Sequence, residues 1–154
     1  MSRISMMILV LCLGACQSAK VHSSNNDPDP AMNDLAVYAL SLEGTPYKYG
    51  GNTPDSGFDC SGFVGYVFRH SLGKILPRTA EQISRVGEKT DEDELQPGDL
   101  VFFNTLHRKY SHVGIYLGDG QFIHSPGKGK SVTTVNMNEN YWRERYNGAR
   151  RLNP

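Results

Sequence analysis

The spacing of apolar residues changes character near Glu94, and that change bounds the folds open to this chain. Before it, Met32, Leu35, Ala36, Ala39 and Leu40 recur at intervals of three and four, as do Phe63, Val64, Val67 and Phe68. That is the period of helices with one buried face. After it come short apolar runs bounded by turns. Leu100 to Phe103 follows Pro97-Gly98, and His112 to Leu117 and Gln121 to His124 flank Gly118-Asp119-Gly120 as a hairpin. Val132 to Val135 and Tyr146 to Leu152 read as further strands. Helices first and strands afterwards predict an α+β domain, with N-terminal helices packed on a mainly antiparallel sheet.

The helix ends are legible. Asp29 and Pro30 supply an N-cap and a first helical residue, and Gly44 closes that helix. A second helix is expected from Cys60 to Leu72, stopped by Gly73. Thr79 and Gln82 have capping-box spacing, so a short third helix follows them. Tyr47 to Gly57, rich in Gly and Pro, reads as a loop.

Ile4 to Leu13 is almost wholly apolar, too short to span a bilayer and suited to the core of a secretory signal. It ends at Leu13-Gly14-Ala15-Cys16, which resembles a bacterial lipobox. That resemblance implies removal of residues 1–15 and lipidation of Cys16, anchoring the protein to a membrane. Gln17 in the next position implies the outer membrane of the cell envelope, facing the periplasm. Residues 16–29 are polar and read as a flexible tether, leaving 30–154 as the folded domain. Without Arg3, 15 of the 16 basic residues remain against 16 acidic ones, a balance that argues against a nucleic-acid partner. The acidic group Glu88, Asp91 to Glu94 and Asp99, and the basic group Arg143, Arg145, Arg150 and Arg151, are expected to be two solvated faces.

Of three cysteines, Cys12 lies in the discarded segment and Cys16 carries lipid, so Cys60 is the only thiol of the expected mature chain. An unpaired thiol outside the cytosol is either buried and inert or kept because it reacts. Cys60 stands at the start of a helix, before its apolar stripe begins, where the macrodipole and free N–H groups favour a thiolate. His112 opens one strand of the hairpin and His124 closes the other, so folding brings them to its open end, with neighbouring strands about 5 Å apart. One imidazole takes the thiol proton and returns it to a leaving amine, while the other fixes its tautomer; spacing does not say which does which. His22, His70 and His107 occupy ordinary linker, helix-end and loop positions. No His-Glu-x-x-His helix is present, and neither metal nor cofactor is expected.

Asp59-Cys60-Ser61-Gly62-Phe63 resembles the nucleophile motif of the NlpC-type cell-wall cysteine peptidases, a papain-like family. Four more blocks resemble the same family, in its order, across about residues 34–152. They are Tyr47-Lys48-Tyr49-Gly50-Gly51, Pro97 to Phe103, Ser111 to Tyr116, and Phe122-Ile123-His124-Ser125. The resemblance implies a papain-like α+β fold that hydrolyses peptidoglycan stem peptides through an acyl-enzyme. It makes Cys60 the nucleophile, His112 the general base, His124 the third member and Tyr47 the oxyanion partner. Asp59 and Ser61 match positions that contact a free stem amine, and Arg78, in Leu76-Pro77-Arg78-Thr79, matches a feature near the cleft. Two other functions stand beside this one: a catalytically inactive envelope lipoprotein, and a Cys/His acyltransferase of related fold. The order of the blocks, nucleophile before histidines, favours the peptidase.

Overall fold

The structure is a computed structural model that describes residues 29–154; the expected signal peptide, Cys16 and the tether up to residue 28 lie outside the described residues. Helix α1 (Pro30–Ser41) begins where Asp29 accepts the N–H of Ala31 at 2.8 Å. Helix α2 (Cys60–Leu72) is capped by Asp59 at one end and by left-handed Gly73, φ 66°, at the other. Thr79 and Gln82 form both halves of a capping box on α3 (Ala80–Ile83).

Tyr47 to Gly57 is not all loop, because β1 (Asn52–Thr53) and β2 (Gly57–Phe58) pair as a small antiparallel hairpin. Strands of two residues carry no alternation to read. Glycine makes the pairing possible: a Cβ on Gly51 would lie 2.2 Å from the Gly57 carbonyl oxygen.

The main sheet has β3 (Glu88–Thr90), β4 (Leu100–Phe103), β5 (His112–Gly118), β6 (Gln121–His124), β7 (Thr133–Asn136) and β8 (Tyr146–Arg151). Its spatial order is β3-β8-β4-β5-β6-β7, and every pairing is antiparallel. This is the α+β arrangement expected. One face, with Leu100, Phe102, Val113, Ile115 and Ile123, packs on Leu35 of α1 and on Phe63, Val64, Val67 and Phe68 of α2. The other face, with Val101, Phe103, Tyr116, Phe122 and Ala149, is covered by Met137 and by Trp142 of α4 (Asn140–Arg143). A four-residue helix is too short to show a period, and nothing in the spacing announced it.

The acidic and basic groups are not two separate solvated faces. Strand β8 returns between β3 and β4, setting Arg151 opposite Glu88. Asp99, 1% exposed, accepts from Arg151 Nε at 2.9 Å and Nη2 at 2.6 Å. A buried carboxylate needs such a partner, and charge counting cannot see across 52 residues of chain.

Candidate active site

The start of α2 is built on close backbone contact. The Asp59 N–H donates to the Gly51 carbonyl at 3.1 Å, and a Cβ on Gly62 would sit 2.0 Å from that same oxygen. Only glycine at position 62 lets the β1–β2 hairpin lie against the first turn of the helix. Both carboxylate oxygens of Asp59 are occupied. Oδ1 accepts from the Gly62 N–H at 2.7 Å, Ser61 Oγ at 3.2 Å and Arg78 Nη1 at 3.0 Å. Oδ2 accepts from the Gly50 N–H at 3.0 Å and Arg78 Nη2 at 2.6 Å. Arg78 Nη1 also donates to Ser61 Oγ at 2.9 Å. Burial opposes the charge on Asp59, but Arg78 and the Gly62 N–H together hold its carboxyl below the usual value.

Cys60 is half-buried and forms no disulfide, and the backbone N–H groups of Val113, Ser61 and Cys60 itself lie near enough to its sulfur to act on its charge. Those donors favour a thiolate, as expected at a helix start. They are outweighed: burial first, then the charge of Asp59, push the thiol up to about 11. The resting sulfur is a thiol. The Val113 N–H matters for position as well, because it sets the sulfur beside the residue that follows His112.

Nε2 of His112 lies 2.6 Å from Nδ1 of His124, with the rings nearly perpendicular. Ile115 opposes Ile123 and Tyr116 opposes Phe122, so the two histidines are diagonal neighbours rather than directly opposed. They share the sheet face that Trp142 covers, with its ring 4.9 Å from His124 and 5.9 Å from His112, centroid to centroid. Burial pushes His112 down to about 4. His124 is pushed lower still, by burial and then by the neighbouring His112 and Lys130. Both rings are therefore neutral near pH 7, and one donates to the other. With its Nε2 engaged, His112 has only Nδ1 left for another partner.

Tyr47 is half-buried, its N–H donating to the Lys130 carbonyl at 2.8 Å and its backbone bridged to Phe58. Burial, then the charges of Asp59 and Cys60, push its phenol up, which places the ring near the thiol. Cys60, Tyr47, Asp59, Ser61 and Arg78 thus gather on the helical wall, and His112 and His124 stand on the sheet. Cys16 lies outside the described residues. Two contributors were not singled out from the sequence. Ser125, fully buried, donates from Oγ to the Phe58 carbonyl at 2.7 Å, tying the end of β6 to the approach to Cys60. Trp142 roofs the imidazoles; its one signal is that it is the only tryptophan in the chain.

The model of the NlpC/P60 family matches residues 44–151. The chain belongs to the NlpC/P60 family. It is 46% identical over 127 residues to Gamma-DL-glutamyl hydrolase of Bacillus subtilis (strain 168), covering 80% of this chain and 30% of that one. It is 42% identical over 125 residues to Murein DD-endopeptidase MepH of Escherichia coli (strain K12), covering 79% and 45%. Probable endopeptidase NlpC of the same strain is 39% identical over 150 residues, covering 95% and 96%. A crystal structure of an NlpC/P60 family protein from Bacillus cereus ATCC 10987 matches with TM-score 0.74 and 42% identity, over 85% of this chain and 43% of that one. The chain thus spans less than two thirds of the first two relatives and nearly all of the third. The papain-like α+β fold implied by the sequence blocks is the fold of this NlpC/P60 domain.

Proposed function

We propose that this NlpC/P60 domain is a cysteine peptidase that hydrolyses peptide bonds in the stems of peptidoglycan. The observation that carries the reading is the 2.6 Å contact between two buried, neutral imidazoles beside the one thiol of the domain. The names of the relatives, a γ-glutamyl hydrolase and a murein endopeptidase, support the substrate class.

His112 donates from Nε2–H to Nδ1 of His124, which leaves the Nδ1 lone pair of His112 to accept the thiol proton. Because burial holds the thiol up and the imidazole down, that proton moves as the sulfur attacks the carbonyl, not before. The tetrahedral oxyanion takes a hydrogen bond from the Tyr47 hydroxyl. His112 then protonates the leaving amine, and the thioester left on Cys60 is hydrolysed by water activated at the same nitrogen. On the helical wall, Arg78 and Ser61 face the acyl side of the substrate. A stem amine would reach Asp59 only by sharing five hydrogen bonds already made there. The lipobox-like Leu13 to Cys16 supports a lipid anchor at the outer membrane.

The test is Cys60→Ala. Purified variant and wild type are incubated with muropeptides, and the products are read by mass spectrometry. Hydrolysis should vanish while the thermal melt stays unchanged. Undiminished turnover would overturn the mechanism in favour of another chemistry, and absence of turnover by the wild type would leave an inactive site.

A further inference from the structure

A recess of about 430 Å³ opens on the histidine side of the cleft. Its floor is His112, His124 and Trp142, and its rim carries Lys130, Glu139 and Tyr141. Cys60, Tyr47, Asp59 and Arg78 take no part in it. In an acyl-transfer mechanism the base that took the thiol proton gives it to the leaving amine, so the released residue must occupy the side where His112 stands. This recess meets that condition. The smaller one beside Ser61 and Arg78 contains neither histidine.

The two charges on the rim are unspent. Among the described residues, neither the Lys130 ammonium nor the Glu139 carboxylate forms an ion pair or a side-chain hydrogen bond. The nearby Arg145 is already engaged, its guanidinium 4.0 Å over the Tyr141 ring and paired with Glu144. Lys130 is close enough for its charge to act on His124. A free cation and a free anion therefore border one recess next to the imidazole pair.

We infer that this recess is the leaving-group subsite, and that Lys130 and Glu139 recognise the carboxylate and the ammonium at the far end of a diamino diacid. The inference rests on the peptidase reading and sharpens it. When a D-glutamyl–diamino acid bond is cut in an uncross-linked stem, the leaving residue carries both charges at its far end. When a cross-bridge between stems is cut, the amine released is itself the far one, and the other amine remains acylated, so no second ammonium enters the recess. The paired rim charges fit the first bond.

The experiment compares two soluble tripeptides, L-Ala-γ-D-Glu-meso-diaminopimelate and L-Ala-γ-D-Glu-L-Lys, which differ at the far end by one carboxylate. Both residues to be changed are exposed, so the fold is not at stake. Lys130→Met should lower kcat/KM about ten-fold on the diaminopimelate peptide through KM, and change it little on the lysine peptide. Loss of a charge beside His124 alters both substrates alike, so the ratio between them is the readout. Glu139→Gln should weaken both peptides, and should do nothing further to a lysine peptide whose far amine is acetylated. If wild type cleaves the peptides but Lys130→Met leaves the ratio unmoved, the subsite assignment falls and the peptidase stands. Preference of wild type for a cross-linked dimer over both tripeptides would equally overturn the assignment. Should wild type cleave no stem peptide at all, the peptidase reading falls and takes this one with it.

Discussion

His112 has only one of its two nitrogens open to a further partner, because His124 holds the other at 2.6 Å. The role we propose for His124 is to accept a hydrogen bond at one point and keep a single tautomer of His112 in place. Any acceptor of suitable reach should do part of that work. His124→Ala is expected to lower kcat by about a hundred-fold or more, with KM little changed, while His124→Gln, whose amide oxygen can accept, recovers part of the loss. Steady-state kinetics on a muropeptide checks this, and equal activity in the two variants would show that His124 does not orient the base. At this scale the sequence was informative where residue type and place agreed. A cysteine before an apolar stripe and two histidines at the ends of one hairpin were legible. Ser125 was not, because its partner, the Phe58 carbonyl, lies 67 residues earlier in the chain. The state of the thiol was misread for a related reason: the helix start was visible and the burial around the sulfur was not.

Helix α2 does more than carry Cys60, since its first turn is the surface on which the β1–β2 hairpin rests. The contact runs through glycine, with a Cβ on Gly62 meeting the Gly51 oxygen at 2.0 Å and the Asp59 carboxylate at 3.1 Å. Gly62→Ala must therefore push the hairpin away or tilt the helix. The expected cost is about 1–3 kcal/mol in urea unfolding, with loss of most hydrolytic activity, because Tyr47, Gly50 and Asp59 move with the hairpin. A variant that keeps wild-type stability and rate would mean the contact is not required. The starts of α1 and α3 and both ends of α2 were readable because caps are local: Asp29, Asp59, Gly73 and the Thr79–Gln82 pair act on neighbouring turns. Helix α1, by contrast, stops at Ser41, capped by Leu42 and not by the expected Gly44. The two-residue strands and α4 were not readable, as their stability comes from what they touch and not from their own pattern.

For the molecule as a whole, the sheet is closed by its last strand. Strand β8 enters between β3 and β4, buries the Asp99–Arg151 pair and brings Trp142 over the histidines on its way. The residues of the candidate site lie between positions 47 and 142, so the proposed anchor and the proposed catalysis should be separable. Replacing Cys16 by Ser is expected to move the protein from the membrane pellet to the soluble fraction and abolish fatty-acid labelling. Hydrolysis of soluble muropeptides by that variant should be undiminished, and retention in the membrane fraction would overturn the lipid assignment.

By itself the sequence determined the class of fold and the order of its main elements, and it singled out the candidates for the reacting groups. Periodicity, capping residues and turn pairs are written within a few positions of where they act, and a nucleophile or base is recognised by its chemistry. The tertiary structure alone decided the rest. It paired β8 with β3 and β4, set His112 diagonal to His124 under Trp142, saturated Asp59 with Arg78, and left Lys130 and Glu139 facing one recess. Each of these joins residues far apart in the chain. Such contacts depend on where burial brings surfaces together, and no local pattern encodes that.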